Sequence, residues 1–336
     1  MNILICYGTR PEWIKIKPII SVFKTQDIKY RVLQVKQHST LLEDNQDVNY
    51  FLDISSHDLN TNRLDNIIAN IVNISAEAFT DITHVLVQGD TATAFTCALA
   101  AFHRKIPVIH LEAGLRTRDK ENPYPEETYR QLISRIADIH LAPTSQNVSN
   151  LDGEHVLGRY FKVGNTVLDN LVSYRDKISY GNEVLITLHR RENHERMDEW
   201  FSVISEIALS NPGTMYTLPI HPNPNVQKHK SLLKGVNVVD PIPYEQFLER
   251  LVKSRYLISD SGGIQEEASF LGKKVIVCRK VTERPETIGI NTIMCLEPQD
   301  LKMHELSLRD KYMIEPNNIY GDGNSSIKIA KIIKNL

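Results

Sequence analysis

The sequence is short of the features that mark secreted, membrane-bound and nucleic-acid-binding chains. Only four cysteines, Cys6, Cys97, Cys278 and Cys295, occur in 336 residues, and no two form a C-x-x-C pair. That spacing argues against a disulfide framework, a zinc knuckle or a thioredoxin-type redox motif. Charge of one sign is also missing: 39 Lys and Arg stand against 41 Asp and Glu, a formal net of −2. Without a basic surplus or run there is no electrostatic footprint for a phosphate polymer, so nucleic acid is not an expected partner. No apolar run approaches the ~20 residues that span a bilayer, and residues 1–12 lack the basic lead-in and cleavage site of a signal peptide. A reduced, cytoplasmic protein with no membrane partner is expected. The glycine signatures of the common nucleotide folds are absent too, with no G-x-G-x-x-G at the first strand–helix turn and no G-x-x-x-x-G-K-[ST].

What is present is a rhythm. Residues 3–7 form a short apolar run closed by Gly8, as a strand buried on both faces would. Pro11 and Glu12 then open a helical pattern whose apolar face runs through Trp13, Ile16, Ile19, Ile20 and Phe23. The alternation predicts strands at 30–36, 83–88, 106–111 and 139–142, with helices near 62–74, 91–103 and 126–138 between them. After the connecting stretch 164–166 and a helix following it, the alternation restarts, with strands at 183–188, 215–220, 236–239, 255–259 and 274–278 and helices at 195–209, 244–253 and 263–271. Such alternation implies α/β architecture: two Rossmann-like doubly wound domains facing a cleft. The expected division is 1–165 for the first domain and 166–319 for the second.

In open α/β sheets ligands bind beyond the carboxyl ends of the strands, and those positions are rich in polar and charged residues here. Ser261, Gly262 and Gly263 lie between a strand and a helix, where backbone N–H groups can hold a phosphate; a plain tight turn is the bland alternative. Arg10, Lys15, His189, Arg190 and Arg284 fall on or beside such loops and favour a diphosphate. Asp90, Glu112 and either Glu126 or Glu127 supply carboxylates for general acid and base work, against a default of helix capping and loop bracing. Phe247 is a core aromatic by default and a base contact if a nucleotide is bound; Glu267 is either an exposed helix acid or a ribose acceptor. His110 and Glu112 have no third ligand at a recognised spacing, so no metal is expected. With no nicotinamide signature, a sugar C–H would have to be labilised by loss of a good leaving group rather than by transient oxidation.

The segments GTRPE at 8–12 with Lys15, QH at 37–38, QGDT at 88–91, HLEAGLR at 110–116 and PEE at 125–127 with Arg130 run in a fixed order. They are followed by TLHRREN at 187–193, HPNPN at 221–225, SDSGGIQEEA at 259–268, TERPE at 282–286 and YGDG at 320–323. As a set they resemble the non-hydrolysing UDP-N-acetylglucosamine 2-epimerases, enzymes of glycosyltransferase-B-like architecture. The resemblance implies that the second domain, 166–319, binds UDP and that 320–336 returns to pack on the first. The resemblance implies epimerisation at C2 of UDP-GlcNAc to UDP-ManNAc, by elimination of UDP to a 2-acetamidoglucal and re-addition, with no external cofactor and a homodimeric protein. It implies Asp90, Glu112, Glu126 and His189 as catalytic residues, and Arg10, Lys15, Arg130, Phe247, Ser261, Gly262, Gly263, Glu267 and Arg284 as ligands of UDP and sugar. Related readings are a 2-epimerase of another UDP-N-acetyl sugar, a hydrolysing epimerase or glycosyltransferase, and a non-catalytic UDP-sugar sensor. HLEAG at 110–114, in place of a His-Gly-Gly-Glu segment, favours retention of UDP. The stretch 37–44 lacks the arginine that follows Gln-His in the family, and 45–66 is shortened, so a second, regulatory UDP-GlcNAc is not implied.

Overall fold

The computed structural model of the chain describes residues 1–36, 47–54, 62–74 and 76–336. The Gln37-His38 pair and parts of the shortened 45–66 stretch lie outside the described residues. The chain divides into two compact units, Met1–Asp169 with Gly323–Leu336, and Asn170–Asp322.

The first unit is built on β1 (Asn2–Tyr7), β2 (Lys29–Lys36), β3 (Tyr50–Asp53), β4 (His84–Gln88), β5 (Val108–Leu111), β6 (Ile139–Ala142) and β7 (Arg159–Lys162). The sheet order is β3-β2-β1-β4-β5-β6-β7, and every pairing is parallel. Side chains alternate across a strand, so β1 feeds two cores. Leu4 and Cys6 join Val85, Val87 and the alanine-rich helix Ala92–His103 on one face. Ile3, Ile5 and Tyr7 join Ile16, Ile19, Ile20 and Phe23 of the helix Arg10–Thr25 on the other. The helix Ser325–Lys334 adds Ile329, Ala330 and Ile333 to that second layer. Burial on both faces is why β1 reads as an unbroken apolar run.

The second unit repeats the plan with β8 (Glu183–Thr187), β9 (Met215–Pro219), β10 (Asn237–Val239), β11 (Tyr256–Ser259), β12 (Val275–Val277) and β13 (Thr292–Met294). These run in the order β10-β9-β8-β11-β12-β13, again with all pairs parallel. The α/β class with two doubly wound parallel sheets is as the alternation predicts. The alternation does not reveal β3, β7 and β13, which end their sheets. Edge strands are covered on fewer sides and need no continuous apolar run; β7 reads RYFK, with both ends exposed. Nor does it mark the helices Ser145–Gly153 and Leu301–Leu308. The helix expected after 164–166 is a 3-10 segment, Thr166–Lys177.

Candidate active site

Each sheet reverses its strand order once, between β1 and β4 in the first unit and between β8 and β11 in the second. At such a switch point the loops leaving the two strands diverge to opposite faces and open a crevice at the carboxyl edge. The polar strand-end residues gather there.

In the first unit, Glu12 lies in the first turn of Arg10–Thr25, and its carboxylate accepts from Gly8 N at 3.1 Å, Thr9 Oγ1 at 2.7 Å and Thr91 Oγ1 at 2.8 Å. It thereby joins the loop after β1 to the loop after β4. Burial pushes its carboxyl up to about 7, against the lowering effect of those donors. Arg10, the first residue of the same helix, is half-buried. Glu112, one residue past β5, is buried and has φ +66°. A left-handed backbone at a residue other than glycine costs roughly 1–3 kcal/mol and persists only where its surroundings hold it; the Glu112 and Ala113 amides both donate to Leu141 O, at 3.0 and 3.2 Å. The Glu112 carboxylate accepts from Lys15 Nζ at 2.5 Å, from Asn165 Nδ2 at 2.9 Å and from Gln88 Nε2.

Asp90, two residues past β4, accepts from Arg130 through Nε at 2.8 Å and Nη2 at 2.6 Å. The two glutamates that open the helix Glu126–Ile136 separate clearly. Glu127 is fully buried and accepts from Thr117 N at 2.9 Å, Arg118 N at 3.1 Å, Arg130 Nη1 at 3.1 Å and Gln131 Nε2 at 3.0 Å. It braces a loop. Glu126, half-buried at the first helical position, shares a helix face with Arg130 four residues on. His110 is fully buried, with Nε2 2.8 Å from Gly89 O; burial pushes its imidazole down to about 3, so the ring is neutral and donates from Nε2. It holds the Gly89 turn, where φ is +70°.

In the second unit, Ser261 precedes the helix Gly262–Phe270 and makes no side-chain cap. First-turn amides of a helix lack intrahelical partners and carry the positive end of the dipole, which suits an anion. A Cβ on Gly262 would collide with Arg284 Nη1 and stand 2.7 Å from Glu283 Oε1, whereas one on Gly263 meets nothing within 4 Å. Arg284 is buried, with Nε donating to Glu266 Oε1 at 2.8 Å and Nη1 paired to Glu283. Glu283 also accepts from Arg279 Nη1 at 2.9 Å, and Arg279 Nε donates to Glu192 at 2.7 Å. Glu267 is buried, and Tyr244 Oη donates to its Oε1 at 2.6 Å. Phe247, on the same helix Tyr244–Lys253, is half-buried.

His189, two residues past β8, stacks on His221 with centroids 5.2 Å apart and planes 15° apart. Burial lowers the imidazole pKa of both rings, while Asp260 works in the raising direction. The main-chain amides of His189 and Arg190 donate to the buried Asp260 Oδ2 at 2.9 and 2.8 Å.

The first unit therefore brings together Lys15 with Glu112 and Asp90 with Arg130, pairing two cations read as substrate ligands with two carboxylates read as catalytic. The second sets Arg284 beside the Ser261–Gly263 turn but already between two glutamates. Gln88, Glu12 and Asp260 lie in segments that the sequence marks but receive no site role there, and Asn165 and Tyr244 are not singled out as site residues. Asn165 follows β7, and the strand-end rule passes over it when that edge strand goes unread.

The UDP-N-acetylglucosamine 2-epimerase family model matches residues 21–334. A UDP-N-acetylglucosamine 2-epimerase of Campylobacter jejuni is 38% identical over 379 aligned residues, covering 99% of this chain and 97% of that protein. One from Neisseria meningitidis is 36% identical, with both chains covered in full, 100% each. The crystal structure of UDP-GlcNAc 2-epimerase from Neisseria meningitidis bound to UDP-GlcNAc superposes with a TM-score of 0.88 at 32% identity, covering 100% of each chain.

Proposed function

Because the chain belongs to the UDP-N-acetylglucosamine 2-epimerase family, we propose that its two strand-end sites divide the work of one reaction, the inversion of C2 in UDP-GlcNAc. The chain is an isomerase of the non-hydrolysing type. In the elimination the C2–H bond breaks and its proton goes to a carboxylate. The electron pair becomes the C1=C2 bond, and the C1–O bond breaks with its pair leaving on the UDP β-phosphate. The 2-acetamidoglucal then takes UDP back at C1 and a proton at C2 from the other face, giving UDP-ManNAc.

The second unit is assigned the UDP. Amides at Ser261, Gly262 and Gly263 receive the diphosphate, Arg284 supplies positive charge beside it, Glu267 accepts from ribose hydroxyls and Phe247 contacts the uracil. His189 meets the departing phosphate. The first unit is assigned the proton chemistry. Glu112, faced by the donors Lys15, Gln88 and Asn165, is a carboxylate set up to accept. Asp90, oriented by Arg130, and Glu126 are the remaining partners for proton removal and return. Arg10, the first residue of the helix that follows β1, is assigned to the substrate beside them. The observation that carries this reading is the buried Glu112, held in a left-handed conformation at the end of β5. We extend the reading to a cytoplasmic homodimer on the family resemblance alone.

The test is incubation with UDP-GlcNAc in deuterated water, followed by NMR. The expected outcome is a mixture of UDP-linked C2 epimers carrying deuterium at C2. Free UDP with ManNAc in equal amount would make the enzyme a hydrolase, and binding without exchange would make it a sensor.

A further inference from the structure

Asp260 is completely buried at the end of β11. Its Oδ2 accepts from His189 N at 2.9 Å, Arg190 N at 2.8 Å and Asn193 Nδ2 at 3.1 Å. Its Oδ1 is also buried but has no hydrogen-bond partner among the described residues. Buried carboxylate oxygens in native proteins are rarely left so without a reason. The nearby ring nitrogen is His189 Nδ1, 3.8 Å away. That exceeds hydrogen-bond length, and a side-chain shift of about 1 Å closes it. On its other side the His189 ring stacks on His221, whose Nδ1 accepts from Asn223 N at 3.1 Å. An accepting Nδ1 makes His221 a neutral imidazole with its proton on Nε2. The charged and titratable groups around His189 are Asp260, Arg190, His194 and His221. Of these only Asp260 offers a carboxylate.

We propose that Asp260 is the positioning residue for His189: Oδ1 takes the Nδ1–H of the ring, in its neutral and protonated forms alike, and leaves Nε2 to face the substrate. The same carboxylate then fixes the main chain of His189 through Oδ2 and its ring through Oδ1, while the neutral His221 face resists a ring flip. Nε2 has one role at a time, accepting when the ring is neutral and donating to a phosphate oxygen when it is protonated. The proposal rests on the reading of His189 as a residue that meets UDP.

The experiment compares the full-length wild type, Asp260→Asn, His189→Asn and the double variant, each with UDP. In Asp260→Asn the side-chain amide oxygen can keep the acceptances of Oδ2, but the amide NH2 then faces Nδ1 and demands a lone pair there, moving the ring proton to Nε2. Imidazole 15N spectra of the UDP complexes should show His189 protonated at Nδ1 in the wild type and at Nε2 in Asp260→Asn. Deuterium exchange at C2 should fall about 100-fold in kcat for Asp260→Asn, with UDP affinity retained. The ionisation of His189 in the pH profile should move to lower pH, because the carboxylate that favours the charged ring is gone. The double variant should be no slower than His189→Asn alone, since the first change acts only through the second. A bare Nδ1 in the wild-type complex, an undiminished rate in Asp260→Asn, or additive losses in the double variant would each overturn the proposal. If Asp260→Asn does not fold, the wild-type spectrum decides. If the wild type shows no C2 exchange, the functional reading fails and the proton position on His189 still decides the role of Asp260.

Discussion

Glu112 combines a φ of +66° with a buried carboxylate, and both features are unfavourable outside a structure that requires them. Lys15, Gln88 and Asn165 compensate the second; the amides of Glu112 and Ala113 on Leu141 O hold the first. Glu112→Gln keeps the shape and removes the charge and the basic oxygen. It is expected to lower C2 exchange by at least ~100-fold, with calorimetry showing UDP binding unchanged. Full turnover in the variant would take Glu112 out of the reaction. The same residue-level geometry separates Glu127 from Glu126, the glutamate that the family motif already singles out. Glu127 accepts from the Thr117 and Arg118 amides and braces their loop, and Glu126 is the one our reading gives to proton transfer.

The helix Gly262–Phe270 shows how one element serves packing and chemistry with neighbouring glycines. Gly262 is small because the Arg284 guanidinium and Glu283 occupy the place of a side chain, the Glu283 oxygen standing 2.7 Å from a would-be Cβ. A methyl group there must displace a buried ion pair, and Gly262→Ala is expected to destabilise the protein by about 1–3 kcal/mol, read as a lower thermal midpoint together with weaker UDP binding. Gly263→Ala meets no atom within 4 Å, so the fold should tolerate it. Its methyl projects where the diphosphate is assigned, and UDP affinity alone should fall. Equal UDP affinity in Gly263→Ala and wild type would remove the diphosphate from that helix end.

At the scale of the whole molecule, two buried ionisable groups, one in each unit, contribute to stability with opposite dependence on pH. Glu12 has a folded-state carboxyl raised to about 7 from its ordinary 4.5. Its contribution is full below the lower value and is lost as pH rises through the upper one, about 3 kcal/mol in all at roughly 1.4 kcal/mol per unit. Lys273 runs the other way. It is buried, its Nζ donates to Ser179 O at 2.6 Å and Ser254 O at 2.8 Å, and burial pushes its ammonium down to about 7 from 10.5. The unfolded chain binds the extra proton between those values, so stability rises with pH across that window. Urea titrations of wild type and Glu12→Gln should therefore diverge between pH 4.5 and 7, the variant gaining stability relative to wild type as pH rises, and should run parallel above it. Parallel curves throughout would mean that Glu12 is solvated and ordinary.

The linear chain determined the α/β rhythm and the two-sheet class, because strands covered on both faces must be apolar without interruption and each is closed by a glycine or a polar turn. It determined the family as well, through motifs spread from 8–12 to 320–323 whose order no local constraint imposes. The edge strands β3, β7 and β13 were not legible, since a strand with one neighbour is free to carry charge. Partnership was not legible either. Lys15 and Glu112 are 97 positions apart, and Asn165 lies 53 from the carboxylate it holds. His189 and Asp260 are separated by 71 positions in sequence. Only the parallel pairings that run from β1 through β4, β5 and β6 to β7, and that of β8 with β11, bring these strand ends together, and only burial there turns an acid or cation of the chain into a charge that must have a partner.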